Sequence, residues 1–521
     1  MRRHAGGTTW GGRRCGAVLV VVALATHATP TSAQVESLPP DHWAYEQLER
    51  FEARGHIVLP GVRPWTRARV GGWVRTLRDA VDSGAAFSPV ELQRLERLEN
   101  EFVDGERIAE SKRRFDPPLV RILDESWNFA GDADLHTGGA GAFGAQAGPQ
   151  AGGTAWGRGN FEALLRFRDW MAYETRYRVT LEEQADVRVD ENRISSRERN
   201  WNGLTSHHDR AYVAVDGGRA RFVLGRDYIG WGAARGDELL ISDAGLSLDA
   251  VQFHLRLSRF QLSSATALLS AADNRHYAAH RLEVDLGGLW VGLQESVVYV
   301  SPHFEPTYLF PLSFYYGNQF NERENDNTLL GLDLKWSSPV GVFDGELLVD
   351  DFIYDGDPAP NKLGYRAGWR RGFVVAGMDA GLRVSYTRLN RWTFTHRVPG
   401  NAYVAGAGDA TTGDSFLGHP LGPDADRWRA AASWSPNVDW TAELSWTHTR
   451  RGDGNRDLSA WESTVPYDPA FPSGVVQSVD RLGLETRTWF TRNVSLRGTG
   501  ELGWTPTGRE FLFGGELRLD L

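Results

Sequence analysis

Two stretches of the 521-residue chain concentrate aromatic, amide and charged side chains able to hold a ligand. In the first, Tyr308, Phe310, Phe314, Tyr315 and Tyr316 run into Asn318, Gln319, Asn321, Glu322, Arg323, Glu324 and Asn325. Aromatic platforms beside amides and carboxylates can hold a ligand that has both apolar faces and hydroxyls, by stacking and hydrogen bonding. The bland alternative is an aromatic strand end that runs into a solvated loop. In the second stretch, Arg226 to Asp243, glycine, tryptophan and charge are mixed as in a constrained loop folded into or over a cavity, where Trp231 serves either as a plug or as a contact. The candidate binding or lumen-plugging residues are therefore Arg226, Asp227, Trp231, Asp237, Tyr308, Tyr315, Tyr316, Asn318, Asn321 and Glu324.

Catalysis finds less support. The glycines of 225–232 lack the Lys-Ser/Thr ending of a phosphate loop. His207-His208-Asp209 offers metal-binding or acid/base side chains, but neighbours on a strand point to opposite faces. The acidic and amide residues of 321–327 lack the spacing and glycine of an EF-hand loop. No catalytic residue, metal site or cofactor is expected.

Composition excludes several classes. Mean hydropathy is −0.40, and no apolar run approaches the ~20 residues of a spanning helix, which rules out a polytopic helical membrane protein. An aromatic content of 11% argues against disorder. The single cysteine, Cys15, rules out a disulfide scaffold. A net charge of −10 lacks the basic footprint of a nucleic-acid binder.

Three regions position the candidate residues. Residues 1–33 read as a secretory signal: Arg2, Arg3, Arg13 and Arg14 precede the apolar run Ala17 to Ala25, and Thr31-Ser32-Ala33 offers a cleavage site. Residues 34–117 read as a small helical module. Trp43, Leu48 and Phe51 mark a first helix, and Val70, Trp73, Val74, Leu77 and Val81 form the buried stripe of a second over Thr66 to Asp82. Ser88-Pro89-Val90-Glu91 has the chemistry of a capping box that opens a third helix ending near Gly105. Such a core is small, so the module should lean on something larger.

After Pro117-Pro118 the period changes to two. Tyr173, Thr175, Tyr177, Val179 and Leu181 alternate with charged and polar neighbours, and the pattern recurs to the end of the chain. Turns are expected at Asp216-Gly217-Gly218, Gly287-Gly288, Ser337-Ser338-Pro339 and Ser435-Pro436-Asn437. Trp336, Trp434, Trp440 and Trp446 sit at strand ends as in an aromatic girdle, and the opposite faces carry charges suited to a wet lumen. The expectation for 118–521 is a transmembrane antiparallel β-barrel of about 16 to 18 strands, with 18 favoured. Gly138 to Arg158, Asp186 to His208, Arg226 to Asp249, Ser301 to Asn327 and Arg397 to Arg427 are its candidate inserts. The alternating strand Phe511 to Leu521 suits the signal read by the barrel insertion machinery.

Asp41-His42-Trp43-Ala44-Tyr45, the run Gly225 to Gly232 followed by Glu238 to Asp243, and Glu305 to Tyr316 resemble, in order and spacing, the Wzi-like capsule-assembly family of Gram-negative outer-membrane barrels. The resemblance implies an 18-stranded barrel with a periplasmic helical bundle near one opening. It also implies a lectin-like, non-catalytic role in binding or organising capsular or exopolysaccharide, which makes the candidate residues above glycan-binding or lumen-plug candidates. The expected surroundings are outer-membrane lipid and lipopolysaccharide. A gated channel for small solutes is the competing reading, and an outer-membrane hydrolase comes third.

Overall fold

From Trp127 onward the period-two pattern becomes a closed antiparallel barrel of eighteen strands. They are β1 (Trp127–Gly144), β2 (Gly152–Phe167), β3 (Met171–Glu182), β4 (Leu204–Asp216), β5 (Ala220–Asp227), β6 (Leu248–Leu257), β7 (Phe260–Ser270), β8 (Arg275–Asp285) and β9 (Leu289–Val300). The circuit continues through β10 (Asn327–Ser338), β11 (Gly341–Asp351), β12 (Lys362–Val375), β13 (Met378–Leu389), β14 (Ala425–Asn437), β15 (Trp440–Arg451), β16 (Gln477–Thr491), β17 (Val494–Thr505) and β18 (Gly508–Asp520). The alternating C-terminal strand pairs with β1, from Glu510 opposite Gly144 to Asp520 opposite Asp134, and closes the ring. The computed structural model describes residues 34–103, 119–124, 126–144, 152–167, 170–182, 204–322, 325–352, 359–405, 416–455, 460–462, 470–491 and 493–520. The signal segment with Cys15, the junction at Pro117-Pro118, Glu324 and most of the insert expected from Asp186 lie outside the described residues.

Alternation sorts the wall into an apolar outside and a charged inside. On β8, Leu282 points outward and is 41% exposed, while its neighbours Arg281 and Glu283 point inward and are buried. On β10, Leu332, Leu334 and Trp336 face out, and Asp333 and Lys335 face in. Girdle aromatics meet across strands, Trp336 stacking on Phe343 at 5.6 Å and Trp434 meeting Trp440 edge-on at 5.1 Å. Among the described residues no helix is long and apolar enough to cross a membrane.

The two rims differ. At one, strands are joined by two or three residues, as at 217–219, 258–259, 339–340 and 438–439; at the other, 228–247, 301–326, 390–424 and 452–476 form long connections. Three helices, α1 (Ala44–Ala53), α2 (Arg67–Asp82) and α3 (Pro89–Phe102), gather at the short-turn rim. Thr66 caps α2 by accepting from the Arg69 N–H, and Ser88 and Glu91 form the expected capping box of α3. Tyr45, Leu48, Phe51, Val74, Leu95 and Phe102 meet in their common core.

Three expectations need correction. The insert expected over Gly138 to Arg158 is largely strand: β1 and β2 stay paired from Trp127 opposite Phe167 to Ala142 opposite Gly152, because a glycine-alanine run lacks alternation but keeps its backbone ladder groups. The turn expected at Ser435-Pro436-Asn437 falls two residues later, since β14 runs to Asn437 through an irregularity between Trp434 and Asn437, where Pro436 need not donate a ladder hydrogen bond. Glu305 to Glu322 is neither a girdle strand nor an open loop; it contains α4 (Pro306–Leu309) and α5 (Tyr315–Glu322).

Candidate functional site

The barrel lumen is filled from both ends, and the fillings meet. From the long-loop rim, residues 228–247 turn inward; from the helical side, residues 59–66 reach up. Val62 pairs with Trp231 and Arg63 with Gly230, and the Gly232 N–H donates to the Gly61 carbonyl at 3.1 Å. Trp231 is fully buried beside Val62, Ile229, Leu240, Tyr277 and Phe394. The wall makes room for it with small inward residues, Ala265, Ala267 and Ala279. A Cβ on Gly232 would lie 2.5 Å from the Glu346 carboxylate, so any side chain there would displace that carboxylate.

Wall carboxylates hold the inserted backbone. Glu346 accepts from the N–H groups of Ala233 and Leu239 at 2.7 and 2.8 Å, and Glu283 accepts from the Gly61 N–H at 2.9 Å. Arg281 lies between Asp333 and Glu283, and Lys335 pairs with Glu52 of α1 at 3.0 Å. Inward charges that suggest a wet channel are thus paired in a packed interior, as buried charge requires.

At the floor, Asp379 takes Arg94 and the Ser88 hydroxyl, the latter at 2.8 Å, and Asp439 takes Arg97. Residues 34–38 run along the opposite inner wall, where Arg210 donates to the Ser37 carbonyl at 2.9 Å and Arg221 to that of Val35 at 3.0 Å. A cavity of about 50 Å³ lies between Glu49, Arg63, Ala234, Asp237 and Arg366, enough for a water or two and too small for a sugar, and a larger one of about 360 Å³ lies at the short-turn rim between Arg54 and Ser337.

The candidate residues divide into three places. Asp227 and Trp231 are lumenal: Asp227 accepts from Arg210 Nε at 2.9 Å. Asp237, in the inserted loop, accepts from Arg427 at 2.8 Å and lies 3.5 Å from His419. Burial opposes its ionisation, but His419, Arg427 and Arg366 hold its carboxyl well below the usual carboxylate range, while burial pushes the His419 imidazole down. Arg226 is on the outer side at the long-loop rim, paired with Asp249 at 2.5 Å and 36% exposed.

Tyr308, Tyr315, Tyr316 and Asn318 lie outside the wall, against β8 and β9. Tyr308 donates to Asp326 at 2.7 Å, Tyr315 donates to the Tyr308 carbonyl at 3.0 Å, and both rings are buried. Tyr316 is exposed, and Asn318 donates to the Ser313 hydroxyl at 2.6 Å. Asn321 falls in α5. The inserted loop and the aromatic segment are therefore on opposite sides of the wall and do not form one platform. His207 and His208 do point to different faces; a bulge at Arg176/Tyr177 turns Asp209 inward to Tyr228 and Arg178, at 2.7 and 3.2 Å.

Sequence reasoning passed over the rim surface beside β13. There Arg388 lies over the Phe471 ring at 3.6 Å, and Arg391 lies over Trp392 at 4.9 Å while donating to the Ser473 hydroxyl at 2.8 Å. Trp392, Phe394 and Asp424 take positive φ values of 66°, 70° and 54°, a cost that non-glycine residues bear where surrounding contacts fix the loop. No periodic signal marks such a surface, because its partners come from loops distant in sequence.

A comparison with curated proteins finds no match. Among solved structures, the chain resembles Wzi of Escherichia coli, described as an outer-membrane carbohydrate-binding β-barrel involved in group 1 capsule assembly. Identity is 13%, with 94% of this chain and 100% of that one covered, at a TM-score of 0.60. OpdK of Pseudomonas aeruginosa, solved with vanillate, overlaps at 8% identity, with coverage of 77% and 99%, and a TM-score of 0.45. OccAB4 of Acinetobacter baumannii overlaps at 8% identity, with coverage of 76% and 98%, and the same score of 0.45. The family described as capsule assembly protein Wzi matches residues 146–506, most of the barrel, and the chain belongs to that family.

Proposed function

We propose that this outer-membrane barrel binds and organises surface polysaccharide, in a lectin-like and non-catalytic way, with its long-loop rim outward and its helices in the periplasm. The carrying observation is the filled lumen: Trp231 is fully buried where the strand pair 62–63/230–231 crosses the axis, which favours a holding surface over a path for solutes. The orientation rests on rim asymmetry, since barrels of this class keep short turns on the periplasmic side and long loops outside. In this reading Asp227, Trp231 and Asp237 support the rim from within. The glycan meets Arg226 on one side of the rim, and Arg388 and Arg391 beside residues 471–473 on the other, where guanidinium groups suit acidic sugars and the Phe471 ring suits their apolar faces. The chain would sit among outer-membrane lipid and lipopolysaccharide, delivered by insertion machinery that reads β18.

The test is binding of polysaccharide extracted from the native cell surface to purified protein in detergent, for wild type and for Arg388→Ala and Arg226→Ala. Retained glycan should drop severalfold in the variants while heat-modifiable migration of the barrel is unchanged. If wild type binds none, and a deletion strain keeps its coat intact, the reading is wrong.

A further inference from the structure

On the outer wall of β8 and β9, four cross-strand pairs climb toward the long-loop rim: Leu282 opposite Leu293, His280 opposite Glu295, Ala278 opposite Val297, and His276 opposite Tyr299. The lowest pair is bare, with Leu282 and Leu293 41% and 57% exposed. Above it two of the three pairs, His280 with Glu295 and His276 with Tyr299, carry polar side chains, at a place where a lipid-facing belt should be apolar. Glu295 lies five residues below the end of β9, which at about 3.3 Å per residue and a tilt near 45° is roughly 12 Å below that end.

The segment 301–322 folds outward and down over those polar pairs. Glu295 accepts from the N–H groups of Tyr315 and Tyr316 at 2.8 and 2.7 Å, so a wall carboxylate caps the start of α5. His280 meets both Glu295, at 3.4 Å, and the edge of Tyr315, at 4.4 Å. Tyr299, Tyr308 and Tyr315 pack in series, and Phe304 covers His276. The fold-over hides the polar wall and turns an apolar ridge outward: Leu312 is 70% exposed, Phe310 59%, Phe314 56% and Leu309 49%. Phe314 directly precedes the α5 start that rests on Glu295, two residues above the bare Leu293 on the same face of β9.

We propose that 301–322 is a collar seated at the headgroup–acyl boundary of the outer leaflet, with Leu309, Phe310, Leu312 and Phe314 in contact with lipid acyl chains. Acyl chains are the occupant because the ridge is carried on the outer face of β8 and β9, the face on which Leu282 and Leu293 stand bare. The boundary, rather than the bilayer centre, is the depth at which a turn such as 310–314 keeps its backbone groups solvated. This inference requires only an outer-membrane barrel and is independent of the glycan reading.

The chain has one cysteine, so single labels can be placed in a Cys15→Ala background. Leu312→Cys, Phe310→Cys, Leu293→Cys as a wall reference and Val475→Cys as a loop reference would each carry a nitroxide in phosphatidylcholine vesicles. Collision with oxygen and with a water-soluble nickel chelate is then read by electron paramagnetic resonance. The collar labels should behave like Leu293→Cys, with high oxygen and severalfold lower nickel access than Val475→Cys. Nickel access equal to that of Val475→Cys overturns the proposal. So does shielding from both reagents together with a cross-linked dimer, which would make the ridge an interface between copies. Glu295→Gln should raise nickel access at position 312 severalfold while the barrel stays inserted; no change would overturn the anchoring role given to Glu295.

Discussion

Trp231 shows how much one side chain can carry when it fills the axis of a ring. Its indole is fully buried among residues from the inserted loop, the wall and the loop 390–424. Trp231→Ala should therefore cost about 3–5 kcal/mol, read as a lower unfolding temperature in detergent. Gly418 is a second such position, for a steric reason: a Cβ there would lie 2.2 Å from the Leu239 carbonyl oxygen and 2.8 Å from the Phe394 ring. Gly418→Ala should cost about 1–3 kcal/mol in the same assay, as overpacking does. Glu91 binds the helical region to itself. Burial works to raise its carboxyl, yet hydrogen bonds from His56, the Ser88 N–H and Arg54 hold it at about 2, below the ordinary 4.5. A carboxylate held low when folded stabilises the fold fully above the unfolded value and loses that contribution as pH falls from about 4.5 toward 2. Acid titration of helical ellipticity should show this loss in wild type, and Glu91→Gln should flatten it.

At the scale of elements, the helical region and the barrel are joined by buried ion pairs rather than by a broad apolar seam. Arg94 is 2% exposed and pairs with Asp379 of β13, itself 8% exposed. Arg94→Ala leaves that aspartate buried without its cation and should cost about 3–5 kcal/mol, whereas the joint replacement Arg94→Met with Asp379→Leu should recover most of it; chemical unfolding of the pair against the single variant checks this. The helices themselves were legible, because Val70, Val74 and Leu77 repeat at helical spacing and Ser88 with Glu91 spells out its own cap. The strands were legible because Arg281-Leu282-Glu283 already separates lumen from lipid. Two features escaped. The partner of Trp231 is Val62, separated by more of the chain than any local pattern spans. The direction of Ser301–Glu322 depends on Glu295 and His280, polar residues on an outer face whose meaning appears only once a helix start is seen resting on them. Alanines at 265, 267 and 279 were a usable signal for the plug, since small inward residues mark where a wall yields space.

For the molecule as a whole, closure of the lumen is the property from which its behaviour follows. Planar-bilayer recordings of wild type should show little steady conductance, and Trp231→Ala should raise it by vacating the crossing point. Large steady currents from wild type would contradict a filled axis. The strand pair 62–63/230–231 has a mechanical consequence as well. It fastens the chain near its N-terminal helices to a loop descending from the far rim, and that loop is in turn tied to the outer cap where the Ser242 N–H donates to the Leu417 carbonyl at 2.9 Å. Tension applied to the outer loops by a polymer tugging at the cell surface would then run down the centre as along a tie rod and reach α1 to α3 without first deforming the staves around it.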